Sequence, residues 1–352
     1  MAVLDTALAR CGRWLQRARR GRIGLGLALQ GGGSHGAYTW GVLDRLLEEP
    51  RIEISALSGT SAGAMNAAVC AQGLVRGGRH GAREALAEFW EAVGAAARLS
   101  PAQPGLLGHL LGDEGLEWSP TFGGLLALTR VFSPYELNPL NFNPLREIVE
   151  RHVDFAALRD PASPDLFIAA TRVSSGRLRV FDNDELSVEA LLASACLPTL
   201  HHAVTIDGED YWDGGYCGNP VVYPLVDLAH CGDVMLLLLS PLERQGELRS
   251  AREIVARASE ISFNAAFLRE MQWLARYESS GDRTLRGTRF HLLTPDAGLA
   301  ERAQLTKLNA DWDFLQALHA GGRAAADAWL AAHRRALGRR STVRLAEVFG
   351  SA

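Results

Sequence analysis

Gly59-Thr60-Ser61-Ala62-Gly63 puts a serine at the centre of a Gly-x-Ser-x-Gly pentapeptide, between an apolar run and an alanine-rich segment. A serine in this setting stands on a sharp strand-to-helix turn with its hydroxyl exposed. The glycines two residues to either side let strand and helix pack closely around the turn. Such a hydroxyl attacks a carbonyl carbon once a neighbouring base takes its proton. In the usual triad the base is a histidine oriented by an acid. The chain has ten histidines, so composition does not exclude a triad.

A second group of residues follows the first apolar run: Gly31-Gly32-Gly33-Ser34-His35-Gly36. Without Cβ atoms, glycines let backbone N–H groups approach a ligand, and the helix N-terminus behind them favours negative charge. Beside an activated serine this is an oxyanion hole. The same letters satisfy Gly-x-Gly-x-x-Gly, and Glu53 lies twenty residues past Gly33. Glu53, however, falls near the start of the second strand, whereas a ribose-binding acid belongs at its far end. That end holds Ser58-Gly59-Thr60-Ser61, so the dinucleotide reading is set aside. The third group is Asp213-Gly214-Gly215, downstream of Asp207-Gly208. Asp-Gly is ordinarily a turn. Asp207-Gly208 reads as one, and Asp213 taken alone reads the same way.

The elements that must position these residues alternate. Ile23 to Gln30 reads as a short buried strand and Ala37 to Glu49 as a helix. Ile52 to Ser58 is a second strand feeding the Ser61 turn, and Ala62 to Gln72 is the helix after it. Strand–turn–helix thus occurs twice in 72 residues, the pattern of an α/β fold with a mostly parallel sheet. Gly81 to Ala97 continues as a helix. Residues 100–144 then become proline-broken yet apolar, with Leu106, Leu107, Leu110, Leu111, Phe122, Leu125, Leu126 and Phe132. This insertion is either a lid or acyl-chain wall, or a helical addition packed on the core. A helix at Pro144–His152, strands at Leu166–Thr171 and Leu178–Phe181, and a helix at Val188–Ala195 follow. Asp233–Leu239 is a central strand, Glu247–Tyr277 a long helical region, and Phe290–Leu293 a last strand. Gln304–Ala320 and Gly322–Leu337 read as two C-terminal helices.

Composition narrows the class. The 352 residues are 47% hydrophobic and 22% charged, with a formal net charge of -4, which gives no signal for nucleic acid. Basic charge is nearly all arginine, Lys307 being the only lysine. Five scattered cysteines (Cys11, Cys70, Cys196, Cys217, Cys231) lack Cys-x-x-Cys spacing, which argues against a disulfide framework or structural zinc and for a reducing, cytoplasmic compartment. Asp182-Asn183-Asp184-Glu185 lacks calcium-loop spacing and reads as a solvated turn. No apolar run is long enough to span a membrane. Leu4, Leu8, Cys11 and Leu15 recur at helical spacing among Arg10, Arg13, Arg17, Arg19 and Arg20. This basic amphipathic arm, residues 1–21, either lies on the inner membrane surface or packs on the domain.

A glycine loop after strand one, Gly-x-Ser-x-Gly after strand two and a downstream Asp-Gly-Gly together resemble the patatin-like phospholipase family, in particular its intracellular bacterial branch. The resemblance covers roughly residues 23–228. It implies a three-layer α/β/α fold with a mostly parallel central sheet, here extended by C-terminal helices. It assigns 22–228 to the catalytic domain, and 229–352 to the last core strands and helices packed on it. It implies Ser61 as nucleophile and Asp213 as general base, a Ser-Asp dyad without histidine. The Gly31–Gly36 amides supply the oxyanion hole. Gly59, Thr60, Ala62 and Gly63 shape the elbow, and Gly214 and Gly215 complete the Asp-Gly-Gly motif. The implied activity is a phospholipase A- or lysophospholipase-like acyl hydrolase acting on lipid esters through an acyl-serine intermediate, with no metal and no cofactor. A thioesterase or storage-polyester hydrolase with the same dyad, and a catalytically silent binding homologue, are the alternatives. The family's loop often carries Arg or Lys where this chain has His35, which either has a positional or packing role or titrates near the nucleophile. His201 and His202 either line the mouth of the site or cap a loop.

Overall fold

The first buried segment of the computed structural model is IGLGLAL, strand β1 (Ile23–Leu29). Its side chains alternate between two apolar cores: Leu25, Leu27 and Leu29 enter one, Ala28 the other. A strand buried on both faces belongs inside a layered α/β protein. The structure describes residues 22–98, 128–129, 131–229, 231–243, 247, 249–280, 287–295 and 304–350. The basic arm and most of the apolar insertion lie outside these residues.

After β1, a short 3-10 turn (Gly33–His35) leads into α1 (Gly36–Glu48), then β2 (Ile52–Gly59) and α2 (Ala62–Arg98), which kinks at Gly77 and Gly78. Among the described residues three short helices follow, α3 (Pro134–Leu137), α4 (Pro144–His152) and α5 (Phe155–Leu158). They precede β3 (Asp165–Arg172), β4 (Leu178–Phe181) and α6 (Val188–Ser194). A hairpin, β5 (Val204–Ile206) and β6 (Glu209–Asp213), ends at Asp213. A turn of π-helix (Pro224–Leu228) leads to β7 (Asp233–Leu237), α7 (Ala251–Ser280) and β8 (Arg289–Leu293). The chain then forms α8 (Trp312–His333) and α9 (Leu345–Phe349).

The protein is a three-layer α/β/α sandwich. Strands β8, β7, β1, β2 and β3 run parallel in that order, while β4 and β6 lie antiparallel to β3. One face of the sheet packs under α1, α2, α6 and α8, the other under the π-turn, α7 and α9. The pairing of β3 sets up the site. Ile168 pairs with Gly59 of β2 and with Phe181 of β4, so β2 and β4 occupy opposite edges. Ala170 pairs with Arg179 of β4 and with Asp213 of β6. β2 and β6 therefore share one edge of β3 and meet end to end, Gly59 facing Asp213 across a gap of one β3 residue.

Two sequence expectations change. The sequence predicts only a turn at Asp207-Gly208, yet residues 204–213 form the β5–β6 hairpin. Its turn uses Asp207 (φ 51°) and Gly208 (φ 81°), the doubly left-handed pair of a type I′ two-residue hairpin loop. The expected break between two C-terminal helices does not occur either. Gln304–Leu308 is a separate 3-10 turn, and α8 is capped by Asp311, whose carboxylate accepts from the amides of Asp313 and Phe314. α8 then runs straight through Gly321 and Gly322. Gly322 is there for packing: a Cβ would overlap the Tyr38 carbonyl oxygen of α1. At Gly321 the nearest atoms, on the Tyr38 ring, stand 3.9 Å away.

Neighbouring substitutions in α8 should therefore have opposite signs. Gly322→Ala forces α1 and α8 apart and is expected to lower stability by about 2–3 kcal/mol. Gly321→Ala is expected to raise it by roughly 0.5–1 kcal/mol through helix propensity. Urea denaturation of the two variants checks both signs.

Candidate active site

Ser61 stands where β2 turns into α2, with φ at 55°. A left-handed conformation is costly for a residue with a Cβ and persists only where its surroundings impose it. They do so here. The Ser61 amide donates to Ser194 Oγ at the end of α6 (3.0 Å). Thr60 Oγ1 donates to the Gly218 carbonyl (2.8 Å), and the Gly63 amide to the Thr60 carbonyl (2.8 Å). The close approach requires glycine on both sides. A Cβ on Gly31 would stand 2.6 Å from the Thr60 carbonyl oxygen, and one on Gly63 would overlap the carbonyl of Leu29.

Asp213 arrives from the other strand end and is buried. Its main chain is fixed twice beyond the ladder: the amide donates to the Cys196 carbonyl (2.8 Å), and the carbonyl accepts from Thr171 Oγ1 (2.8 Å). The carboxylate accepts from the Gly215 amide (2.7 Å), and it lines the same cleft as the Ser61 hydroxyl, which helps to lower its pKa. Burial pushes the Asp213 carboxyl up from an ordinary 3.8 to about 7, against the pull of the Gly215 amide and the Ser61 hydroxyl. Its charge and, first, burial also raise the neighbouring Cys196 thiol to about 12. A serine hydroxyl beside a carboxyl of near-neutral proton affinity is an arrangement that can pass a proton in either direction.

The glycine loop lies in the same cleft. Gly31, Gly32, Gly33 and Ser34 line it with Ser61, Ala62 and Asp213. The Gly31 amide donates to Asn219 Oδ1 (2.6 Å), and the His35 amide to the Gly32 carbonyl (3.2 Å). Gly36 donates back to Gly33 and Ser34. Among the described residues the amides of Gly32 and Gly33 make no hydrogen bond. The loop's far end is tied to the cleft wall: Asn66 donates to the Gly36 carbonyl (2.9 Å) and accepts from the Trp90 indole (3.0 Å). The cleft holds about 530 Å³, in the range of small-molecule sites, and Met65, Phe89, Trp90, Val93, Leu145 and Leu200 make much of its wall apolar.

The three histidines separate. His35 is buried outside the cleft lining, with Nε2 2.8 Å from Thr306 Oγ1 and its ring beside Phe314. His202 stacks on Tyr135. His201 lines the cleft, and burial lowers its pKa. Among the described residues no histidine hydrogen-bonds Ser61. Phe132 is exposed, and the leucines and Phe122 expected to form an acyl-chain wall lie outside the described residues.

Sequence reasoning missed three residues that fix this geometry. Ser194 holds the Ser61 amide. Asn219, before the cis Asn219–Pro220 bond, holds Gly31. Gln30 accepts from the amides of Leu239 and Ser240 and donates to Asn264 and to the Asn219 carbonyl. The available signal was Gln30 itself, a polar residue closing an otherwise apolar strand.

A family model for patatin-like phospholipases matches residues 27–226, more than half of the chain. No curated protein matches. Among solved structures, VipD from Legionella pneumophila is similar over 86% of this chain and 67% of its own, with 14% identity and a TM-score of 0.36.

The buried carboxyl makes a stability prediction. The native state holds its proton up to about pH 7, the unfolded state only to about 3.8. The native protein therefore loses stability as pH rises between those values, by roughly 4 kcal/mol in full above pH 7. Asp213→Asn removes the titration. Its stability advantage over the wild type should grow from about pH 4 to about pH 7 and then level off, as read by chemical denaturation at several pH values.

Proposed function

The chain belongs to the patatin-like phospholipase family, and from that premise we propose that it is a lipid acyl hydrolase working through a Ser61–Asp213 dyad. The observation that carries this reading is the convergence of Ser61, the glycine loop and the buried Asp213 carboxyl, raised to about 7, in one apolar-walled cleft. Burial makes Asp213 a base strong enough to take a serine proton without an imidazole.

Ser61 Oγ attacks the ester carbonyl carbon while its proton passes to Asp213. The carbonyl π electrons move to oxygen, and that oxyanion is met by the amides of Gly32 and Gly33. Collapse of the tetrahedral intermediate breaks the bond to the alkoxide, which takes the proton from Asp213 and leaves as the alcohol. Water then attacks the acyl-serine with Asp213 again as base, and the protonated carboxyl returns its proton to Ser61. Because the Gly215 amide holds Oδ1, the other carboxylate oxygen is the one that shuttles the proton. The apolar wall favours an acyl chain as the group held beside Ser61, which fits a phospholipase A- or lysophospholipase-type substrate.

Ser61→Ala and Asp213→Asn should each lower hydrolysis of phospholipid or lysophospholipid by roughly a thousandfold or more. His201→Ala should stay within about tenfold of the wild type, a smaller loss than general-base removal. A fluorophosphonate should label the wild type at Ser61, as located by peptide mass spectrometry. Since the base must be ionised, kcat/KM should fall about tenfold per pH unit below about 7 and flatten above it. A histidine variant as inactive as Asp213→Asn would overturn the dyad.

A further inference from the structure

The segment joining the cleft wall to α4 carries apolar side chains that the fold leaves uncovered. Val131 is 77% exposed, Leu140 90% and Phe142 73%, with Phe132, Tyr135 and Leu137 also exposed. Burial of these residues is not what shapes the segment. Ser133 and Glu136 form a reciprocal capping box around α3. Asn138 closes the next turn from both sides: its Nδ2 donates to the Phe142 carbonyl and its Oδ1 accepts from the Phe142 amide, each at 2.9 Å. Asn141 sits at φ 50°, and Asn143 caps α4. Polar side chains thus set the backbone of residues 138–143 while Leu140 and Phe142 project into solvent.

The projection adjoins the cleft. Tyr135 stacks on His202 with ring centroids 4.1 Å apart, and its hydroxyl accepts from the Ala203 amide at 3.2 Å. His202 Nε2 lies 3.2 Å from the Pro134 carbonyl oxygen. The preceding residue, His201, lines the cleft with Ser61, as do Thr129 and Leu145 on either side of the segment. The segment is also nearly neutral. From Val131 to Asn143 the only carboxylate or cation is Glu136, which is turned back into the capping box.

We propose that Leu140 and Phe142, supported by Val131, form a membrane-inserting tip that seats the cleft on a lipid surface. The proposal rests on the lipid-ester reading above, since a substrate anchored in a bilayer reaches Ser61 best when the cleft mouth meets that bilayer. The shape argues for lipid as the occupant. A side chain 90% exposed is a protrusion and not the wall of a groove, so it suits a medium that deforms around it. A second copy would have to offer a matching apolar hollow. The cavity beside the tip, lined by Asn141, Asn143, Arg146 and Glu189 among others, is polar. An apolar, neutral tip also predicts attachment that does not depend on anionic lipid, unlike a basic arm.

The test uses the full chain carrying Ser61→Ala, which leaves vesicles intact, with and without Leu140→Ser plus Phe142→Ser. Co-sedimentation with phosphatidylcholine vesicles should show partitioning reduced by roughly tenfold or more in the tip variant. Adding phosphatidylglycerol should not restore binding of the tip variant. Leu140→Met with Phe142→Leu, apolar but differently shaped, should keep binding. With Ser61 intact, the serine tip variant should hydrolyse a water-soluble short-chain ester at the wild-type rate, which also shows that it is folded. Equal partitioning of the Ser61→Ala protein with and without the serine tip, or no binding by the Ser61→Ala protein, overturns the proposal. So does a change from dimer to monomer accompanying the loss, seen by sedimentation velocity. Absence of any ester hydrolysis by the wild type would defeat the hydrolase reading alone, because the vesicle comparison does not use turnover.

Discussion

Two strand ends meeting on one edge of β3 are the constraint on which the site depends. β2 pairs with β3 as far as Gly59, and β6 takes up the same edge at Asp213, running the opposite way. Neither strand can slide without breaking its ladder, and a one-residue slip would also exchange buried for exposed faces. The separation of the serine turn from the carboxylate is therefore set by main-chain register. Side chains then lock the junction. Ser58 and Thr60 donate to the carbonyls of Val221 and Gly218, so the loop leaving Asp213 is fastened to the end of β2.

The same junction concentrates unfavourable terms. Ser61 holds a left-handed backbone, and Asp213 is a carboxyl kept from water and, among the described residues, from any cation. A chain selected for stability alone would carry neither. The surrounding order makes them tolerable. The β1 end is held by Gln30 through four hydrogen bonds, and α6 presents Ser194 to the strained amide. Local strain and a buried acid survive because the packed layers on both faces of the sheet leave no alternative arrangement.

Much of this was readable from residue order. Ile23–Leu29 and Ile52–Gly59 announce themselves as apolar runs ending in glycine-containing turns, and the glycine loop and the Ser61 turn sit where those runs stop. The β5–β6 hairpin was not readable in the same way. Its five-residue strand Glu209–Asp213 has only Tyr211 and Asp213 buried, too little alternation for a periodicity argument. Gly321-Gly322 misled because helix propensity is local, whereas the reason for Gly322 lies in the backbone of α1, nearly three hundred residues earlier in sequence. Ser194 and Asn219 were invisible because a hydrogen bond across 133 or 188 residues leaves no trace in spacing.

The geometry also bears on the choice of base. A histidine base needs a third group to select its tautomer and aim its ring. A carboxylate has no tautomer, and an aspartate side chain is short enough that fixing its main chain nearly fixes its oxygens. Asp213 is fixed by its pairing with Ala170, by the Cys196 carbonyl and by Thr171 Oγ1, while the Gly215 amide settles the orientation of the carboxylate. The sheet therefore does the aiming that an orienting acid does in a triad. What the carboxylate lacks is basicity, and burial supplies it. In the proposed dyad, orientation and proton affinity would then come from one circumstance, the enclosure of a strand end, and no third side chain would be required.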